Sequence, residues 1–150
     1  MDKEAAVQSL TDTMAKFTAY IGKRLPKDVK SKLAELRTME TNPLAKSIFD
    51  SMAGNQEAAD KLNRPSCQDT GVIQYFVEAG ANFPLLGELE EVLRGATEGA
   101  TRMGPLRHNA VETFDEKNTG TNTGTQIPWL DWRLVPNLDS CLTHVYMAGG

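Results

Sequence analysis

One hundred and fifty residues, 40% of them hydrophobic, with a formal net charge of −4, suffice for one domain that buries about 70% of the surface its unfolded chain exposes. No stretch approaches the ~18 uncharged apolar residues of a membrane span, and the opening MDKEAAVQSL lacks a signal peptide's apolar run, so a soluble, cytoplasmic protein is expected. Residues 1–64 hold 11 Lys/Arg against 9 Asp/Glu and residues 65–150 hold 5 against 11, a balance that speaks against a nucleic-acid partner.

Val7, Leu10, Met14, Phe17 and Ile21 recur at steps of three and four, which predicts an amphipathic helix over residues 3–22. Pro26 precedes a second helical pattern carrying Val29, Leu33 and Leu36, and TNPLAKSIFDSM opens a third with Pro43 in its first turn. Residues 3–62 are therefore expected to be mainly helical. From Gly71 the pattern changes to VIQYFV, β-branched and aromatic and apolar on both faces, as a central strand buried from both sides would be. FPLLGELEEVLRGATEGATRMG then places Leu85, Leu89, Val92, Leu93, Ala96 and Ala100 along one face, with Gly104-Pro105 as the stop. A fourth helix packed on the sheet is expected there. KNTGTNTGTQIP is loop chemistry, since Asn and Gly tolerate positive φ, and it lacks the Gly-Lys-Ser/Thr ending of a P-loop. WLDWRLV and SCLTHVYMAGG flank PNLD and predict a β-hairpin. The run into Gly149-Gly150 without a polar tail reads as an interruption. The sum is an α+β fold, N-terminal helices followed by a mixed sheet with a packed helix.

Few residues carry chemistry. Cys67 and Cys141 are too few for a disulfide scaffold and too far apart for a C-x-x-C zinc pair, which fits a reducing compartment. Cys67 is either a small buried hydrophobe or a thiolate ligand in a turn rich in backbone amides, CQDTG. Asp69 and Thr70 read as turn formers or as reactive groups. Cys141, in a strand, reads as core. Arg107 either pairs with Glu112, Asp115 or Glu116 or receives an anion, for which its planar fork suits a carboxylate. His108 and His144 read as hydrogen-bonded structural residues, and two distant histidines make no metal site.

In this order and spacing, LNRPSCQDTG, FPLLGELEEVL, PLRHNAVETFDEKNTGTNTG and VYMAGG resemble the class I fumarase family of iron-sulfur hydro-lyases over essentially the whole chain. Within it they are most similar to the tartrate-dehydrating α subunits. The resemblance implies that the chain is the N-terminal portion of a longer α subunit holding a [4Fe-4S] cluster through three cysteines. Cys67 matches the first, the other two would lie beyond Gly150, and Cys141 matches none. It further implies that Gln68 and Arg107 hold substrate carboxylate or hydroxyl groups, that the backbone of Gly150 approaches the substrate, and that Asp69 takes part in proton transfer. The implied reaction is dehydration of L(+)-tartrate to oxaloacetate, with a β subunit completing an α2β2 assembly. Interconversion of fumarate and malate, or a catalytically inert scaffold, are the alternatives.

Overall fold

The helix α1, Lys3–Ile21, buries Ala15, Thr18 and Ala19, a face rotated to one side of the predicted stripe, whose Val7, Leu10, Met14 and Ile21 are half-buried. Leu10 and Met14 reach the core from its margin, while Phe17 is 46% exposed. The cause is the tight seam between α1 and the later helix α4, Leu89–Met103. A Cβ added at Gly99 of α4 would lie 2.8 Å from the Cβ of Ala15, so only small side chains fit the contact line, because the side chains at a helix contact set how closely the axes approach. The computed structural model describes residues 2–67, 69–104 and 106–149.

Two further helices follow, α2 at Lys27–Met39 and α3 at Pro43–Leu62, and residues 3–62 are mainly helical as expected. The Asn42 side chain accepts hydrogen bonds from the amides of Leu44 and Ala45, with Pro43 in the first turn, which satisfies donors that a helix start otherwise leaves unpaired. Asn63 ends α3 in the left-handed region, φ 52°. In α2 no residue is buried and in α3 only Ala59 is.

Strand β1, Val72–Gly80, is central as expected. It lies between β2, Trp129–Val135, which runs parallel to it, and β3, Cys141–Ala148, which runs antiparallel. The predicted hairpin is thus not formed: β2 and β3 each pair with β1 and not with each other. Residues 136–140 cross the end of β1 and bind it, Gly80 N–H donating to Ser140 O and Asn82 N–H to Leu138 O, both at 2.9 Å. Two strand spacings, about 9.6 Å, are well within the reach of five residues, ~17 Å when extended. The most apolar strand takes the position with two neighbours, which a hairpin of β2 and β3 would deny it.

Ile73, Tyr75, Val77 and Ala79 form the core with Ala19, Leu89, Leu93 and Ala100. The Tyr75 hydroxyl, buried at 0% exposure, lies 3.1 Å from Thr18 Oγ1 of α1 and 3.2 Å from Thr97 Oγ1 of α4. Both helices therefore cover the same face of the sheet. On the other face Phe76 is 39% exposed, with Trp129, Leu142 and Tyr146 also exposed. The expectation that β1 is buried from both sides is corrected accordingly: among the described residues one face is covered and the other is bare. The fourth helix also starts later than its pattern suggests, after a 3-10 turn at Leu86–Glu88, so that Leu85 lies before it.

Two glycines test this packing. Gly54, inside α3, has open space where a Cβ would be, so Gly54→Ala should stabilise the chain by about 0.5–1 kcal/mol. Gly99→Ala should destabilise it by about 1–3 kcal/mol by forcing α1 off α4, both read by urea unfolding. Burial raises the Tyr75 hydroxyl above its ordinary value, with the hydrogen bonds to Thr18 and Thr97 pulling the other way. The folded state therefore keeps a proton that the unfolded chain releases near pH 10, and this contribution, whole below that pH, is lost as pH rises through the higher folded value. Stability should fall above about pH 10 with a slope that Tyr75→Phe reduces by one proton's worth.

Candidate active site

The turn before β1 is built around Gly71, whose φ is +78°. A Cβ there would lie 2.4 Å from the backbone carbon of Ala148, so both the conformation and the close approach to the end of β3 require glycine. Asp69 Oδ1 accepts the Gly71 amide at 3.0 Å, the side-chain turn expected of an Asp two residues earlier. The same oxygen accepts Asn109 Nδ2 at 3.2 Å, and Asn109 Nδ2 also donates to Gly71 O at 2.9 Å. Asp69 thus serves the turn and faces a cleft.

That cleft, of about 250 Å³, is lined by Asp69, Gly71, Val72, Arg107, Asn109 and Ala148. The segment carrying Arg107 is clamped by backbone contacts. Its amide donates to Thr70 Oγ1 at 3.0 Å and its carbonyl accepts Asn122 Nδ2 at 2.9 Å. Asn122 lies in the second NTG of the loop, buried, at φ 58°. Its Oδ1 accepts the Asn109 amide at 2.7 Å and its Nδ2 also reaches Thr101 Oγ1 at 3.1 Å. In the first NTG, Asn118 Nδ2 donates to His108 O, and its Oδ1 accepts the Gly120 amide at 2.9 Å. The NTG repeats therefore act as local scaffolding for residues 107–110.

Of the residues singled out from sequence, Asp69 and Arg107 are brought into one cleft. The Arg107 side chain is exposed and forms no ion pair with Glu112, Asp115 or Glu116. Gln68 and Gly150 lie outside the described residues. Cys67 is a free, exposed thiol two residues from Asp69, which is not the burial a small hydrophobe would have, and Cys141 is half-buried against the core. His108 and His144 are exposed, and neither lines the cleft. Asn109 and Asn122, which tie the two motifs together, carried no functional reading in the sequence. The signal that could have found them is the Asn two residues after Arg107 and the repeat of NTG.

A cluster cofactor can be tested against these donors. Cys67 offers one accessible thiol, and among the described residues no group of three or more His, Cys, Asp or Glu is placed to hold a metal ion. The described residues therefore do not by themselves make a cluster site.

With this geometry in place the class of protein follows: residues 11–150 match the fumarate hydratase (Fumerase) family, and the chain belongs to it. It is 52% identical over 149 residues to the L(+)-tartrate dehydratase subunit alpha of Escherichia coli (strain K12) and to that of Shigella sonnei (strain Ss046), covering 99% of this chain and 49% of each relative. A putative L(+)-tartrate dehydratase subunit alpha of Methanocaldococcus jannaschii is 32% identical over 118 residues, 77% of this chain and 41% of that protein. The chain spans about half the length of the curated relatives it matches.

The scaffold reading of Asn122 makes a two-variant forecast. Asn122→Gly keeps the left-handed backbone but removes the side-chain hydrogen bonds, costing about 2–3 kcal/mol through buried groups left unpaired. Asn122→Ala should cost about 1 kcal/mol more, because a Cβ disfavours positive φ. Equal stability of the two variants in thermal unfolding would contradict this.

Proposed function

We infer that this chain is the N-terminal part of the α subunit of a cytoplasmic hydro-lyase that dehydrates L(+)-tartrate to oxaloacetate, completed by a β subunit in an α2β2 assembly. The observation that carries the reading is the convergence of a carboxylate, Asp69, and a guanidinium that makes no ion pair among the described residues, Arg107, on a single cleft. Similarity to relatives named as tartrate dehydratase α subunits supports the substrate. No helix is long and apolar enough to cross a membrane among the described residues.

In this reading Arg107 grips a substrate carboxylate through two charge-assisted hydrogen bonds, its main chain already fixed by Thr70 and Asn122. Gln68 and the Gly150 backbone add polar contacts to the substrate. Asp69, oriented by the Gly71 amide and Asn109, moves a proton. In the overall reaction the C–H bond breaks, its electron pair forms a C=C bond, and the hydroxyl of the adjacent carbon departs with a proton as water. The enol that remains becomes oxaloacetate by moving its hydroxyl proton to carbon. In this reading Cys67 would be one ligand toward a [4Fe-4S] cluster. Such a cluster, when bound, supplies Lewis-acid chemistry at an open iron.

A family described as fumarate hydratase keeps fumarate and malate as the second reading, and assays on L(+)-tartrate, fumarate and malate separate the two. In the assembled enzyme, Asp69→Asn should lower turnover by about 10²–10⁴-fold while cluster absorbance stays unchanged. Arg107→Lys should raise KM first, since a point charge cannot reproduce the bidentate fork. Near-normal turnover of Asp69→Asn with full cluster content would end its assignment to proton transfer.

A further inference from the structure

The cleft at the start of β1 holds a third polar side chain besides Asp69 and Arg107. Its other lining residues are Gly71, Val72, Ala148 and Asn109, and of these only Asn109 carries a polar side chain. The Asn109 amide is fixed at one end. Its Nδ2 donates to Asp69 Oδ1 at 3.2 Å and to Gly71 O at 2.9 Å, which engages both of its hydrogens. Turning the amide over would set its oxygen against two acceptors, so the network itself assigns nitrogen and oxygen. Oδ1 is therefore the end turned away from the Asp69 turn. Among the described residues Asn109 bonds only through Nδ2 and its backbone N–H, and Oδ1 keeps its acceptor capacity. The place of Asn109 beside Arg107 is also built in. Asn122 accepts the Asn109 N–H at 2.7 Å through Oδ1 and donates to Arg107 O at 2.9 Å through Nδ2, so one buried side chain sets the spacing of both.

We propose that Asn109 Oδ1 accepts a hydrogen bond from the hydroxyl that tartrate keeps through the reaction, and so determines the choice of tartrate over malate, a step that rests on the tartrate reading of this cleft. In that reaction one hydroxyl leaves as water and the other stays on the carbon that loses its hydrogen. Malate carries the first and has no counterpart to the second, so the two compounds differ by a single hydroxyl. Telling them apart calls for a hydrogen-bonding group at that place, and the charged groups of the cleft are committed elsewhere: Arg107 to a carboxylate, which its planar fork fits, and Asp69 to a proton. A neutral acceptor suits the retained hydroxyl because it takes the O–H without adding charge beside the two carboxylates of the substrate. Malate in the same cleft leaves Oδ1 desolvated and unpaired, which is how a site built around a substrate hydroxyl rejects an analogue that lacks it.

The test uses the assembled enzyme with its β subunit and compares L(+)-tartrate with each enantiomer of malate, followed as a substrate or as a competitive inhibitor of tartrate turnover. The unaltered enzyme should favour tartrate by at least ~100-fold in apparent affinity. Asn109→Ala removes the acceptor and should weaken tartrate by about 10–100-fold while malate changes by less than about threefold. The same substitution releases Asp69 from one of its donors and lowers turnover, so the ratio of the two affinities is what is read. Asn109→Asp keeps an acceptor in that place and loses the donors; it should weaken both dicarboxylates together and hold the preference within about threefold. An unaltered enzyme that binds malate as tightly as tartrate overturns the proposal with no variant at all. An Asn109→Ala enzyme whose two affinities fall in step overturns it too, since that is the behaviour of a residue that only props Asp69. Failure of the reaction itself is distinct: the unaltered enzyme then forms no oxaloacetate from tartrate, and this specificity falls with it.

Discussion

The close approach of Gly71 to the backbone of Ala148 is the constraint on which the site depends. No side chain can occupy the space between them, so the turn carrying Asp69 is pressed against the end of β3, where a Cβ at Gly149 would meet Asp69 O at 3.4 Å. From that contact the remaining geometry follows. Gly71 O is presented to Asn109, Asn109 binds Asp69, and Arg107, two residues before Asn109, lines the same cleft. The cleft is therefore a consequence of how β1 begins, and β1 is fixed in turn by the Tyr75 hydroxyl wedged between Thr18 and Thr97.

Around this anchor the irregular chain is held by side-chain amides in place of a regular ladder. Among the described residues, residues 107–110 belong to no strand and only the following Val111 forms a bridge, with Asn118, and such a segment must still pair its buried backbone groups. Asn122 meets that demand with two acceptors for its amide group and one donor for its oxygen. It can do so only from the left-handed conformation, which asparagine tolerates better than most residues. Arg94, by reaching the carbonyls of Gly124 and Ile127, fastens the far end of the same loop to α4.

The elements were legible where a pattern is local. Three- and four-residue spacing located the helices, and the change at Gly71 located β1. The phase of α1 was misleading because the seam with α4 selects Ala15 and Ala19, small residues that a search for large apolar side chains passes over. Strand pairing was illegible for a related reason. The short PNLD link argues for a hairpin, and only the demand of β1 for two neighbours, a long-range condition, overrides it. Asp69 and Arg107 were singled out because their residue types carry chemistry in themselves, and both line one cleft. Asn109 and Asn122 were not, since their importance lies in partners 13 to 40 residues away, which no local spacing encodes.

Charge distribution bears on the proposed anion-binding role of Arg107 in its acidic surroundings. Residues 65–150 contain only five Lys/Arg, and three of these are engaged: Arg94 with Glu90, Arg102 with Glu98, and Arg133 with Glu78. An exposed ion pair contributes at most about 1 kcal/mol, so leaving Arg107 out of that scheme costs the fold little. The same omission matters more in a cleft, where a guanidinium with no carboxylate partner among the described residues keeps its donors available to an incoming one. Stability and the proposed anion recognition are in this way separated: the packed layer rests on Tyr75 and the glycine seams, while the groups that face the cleft are carried by turns at its rim.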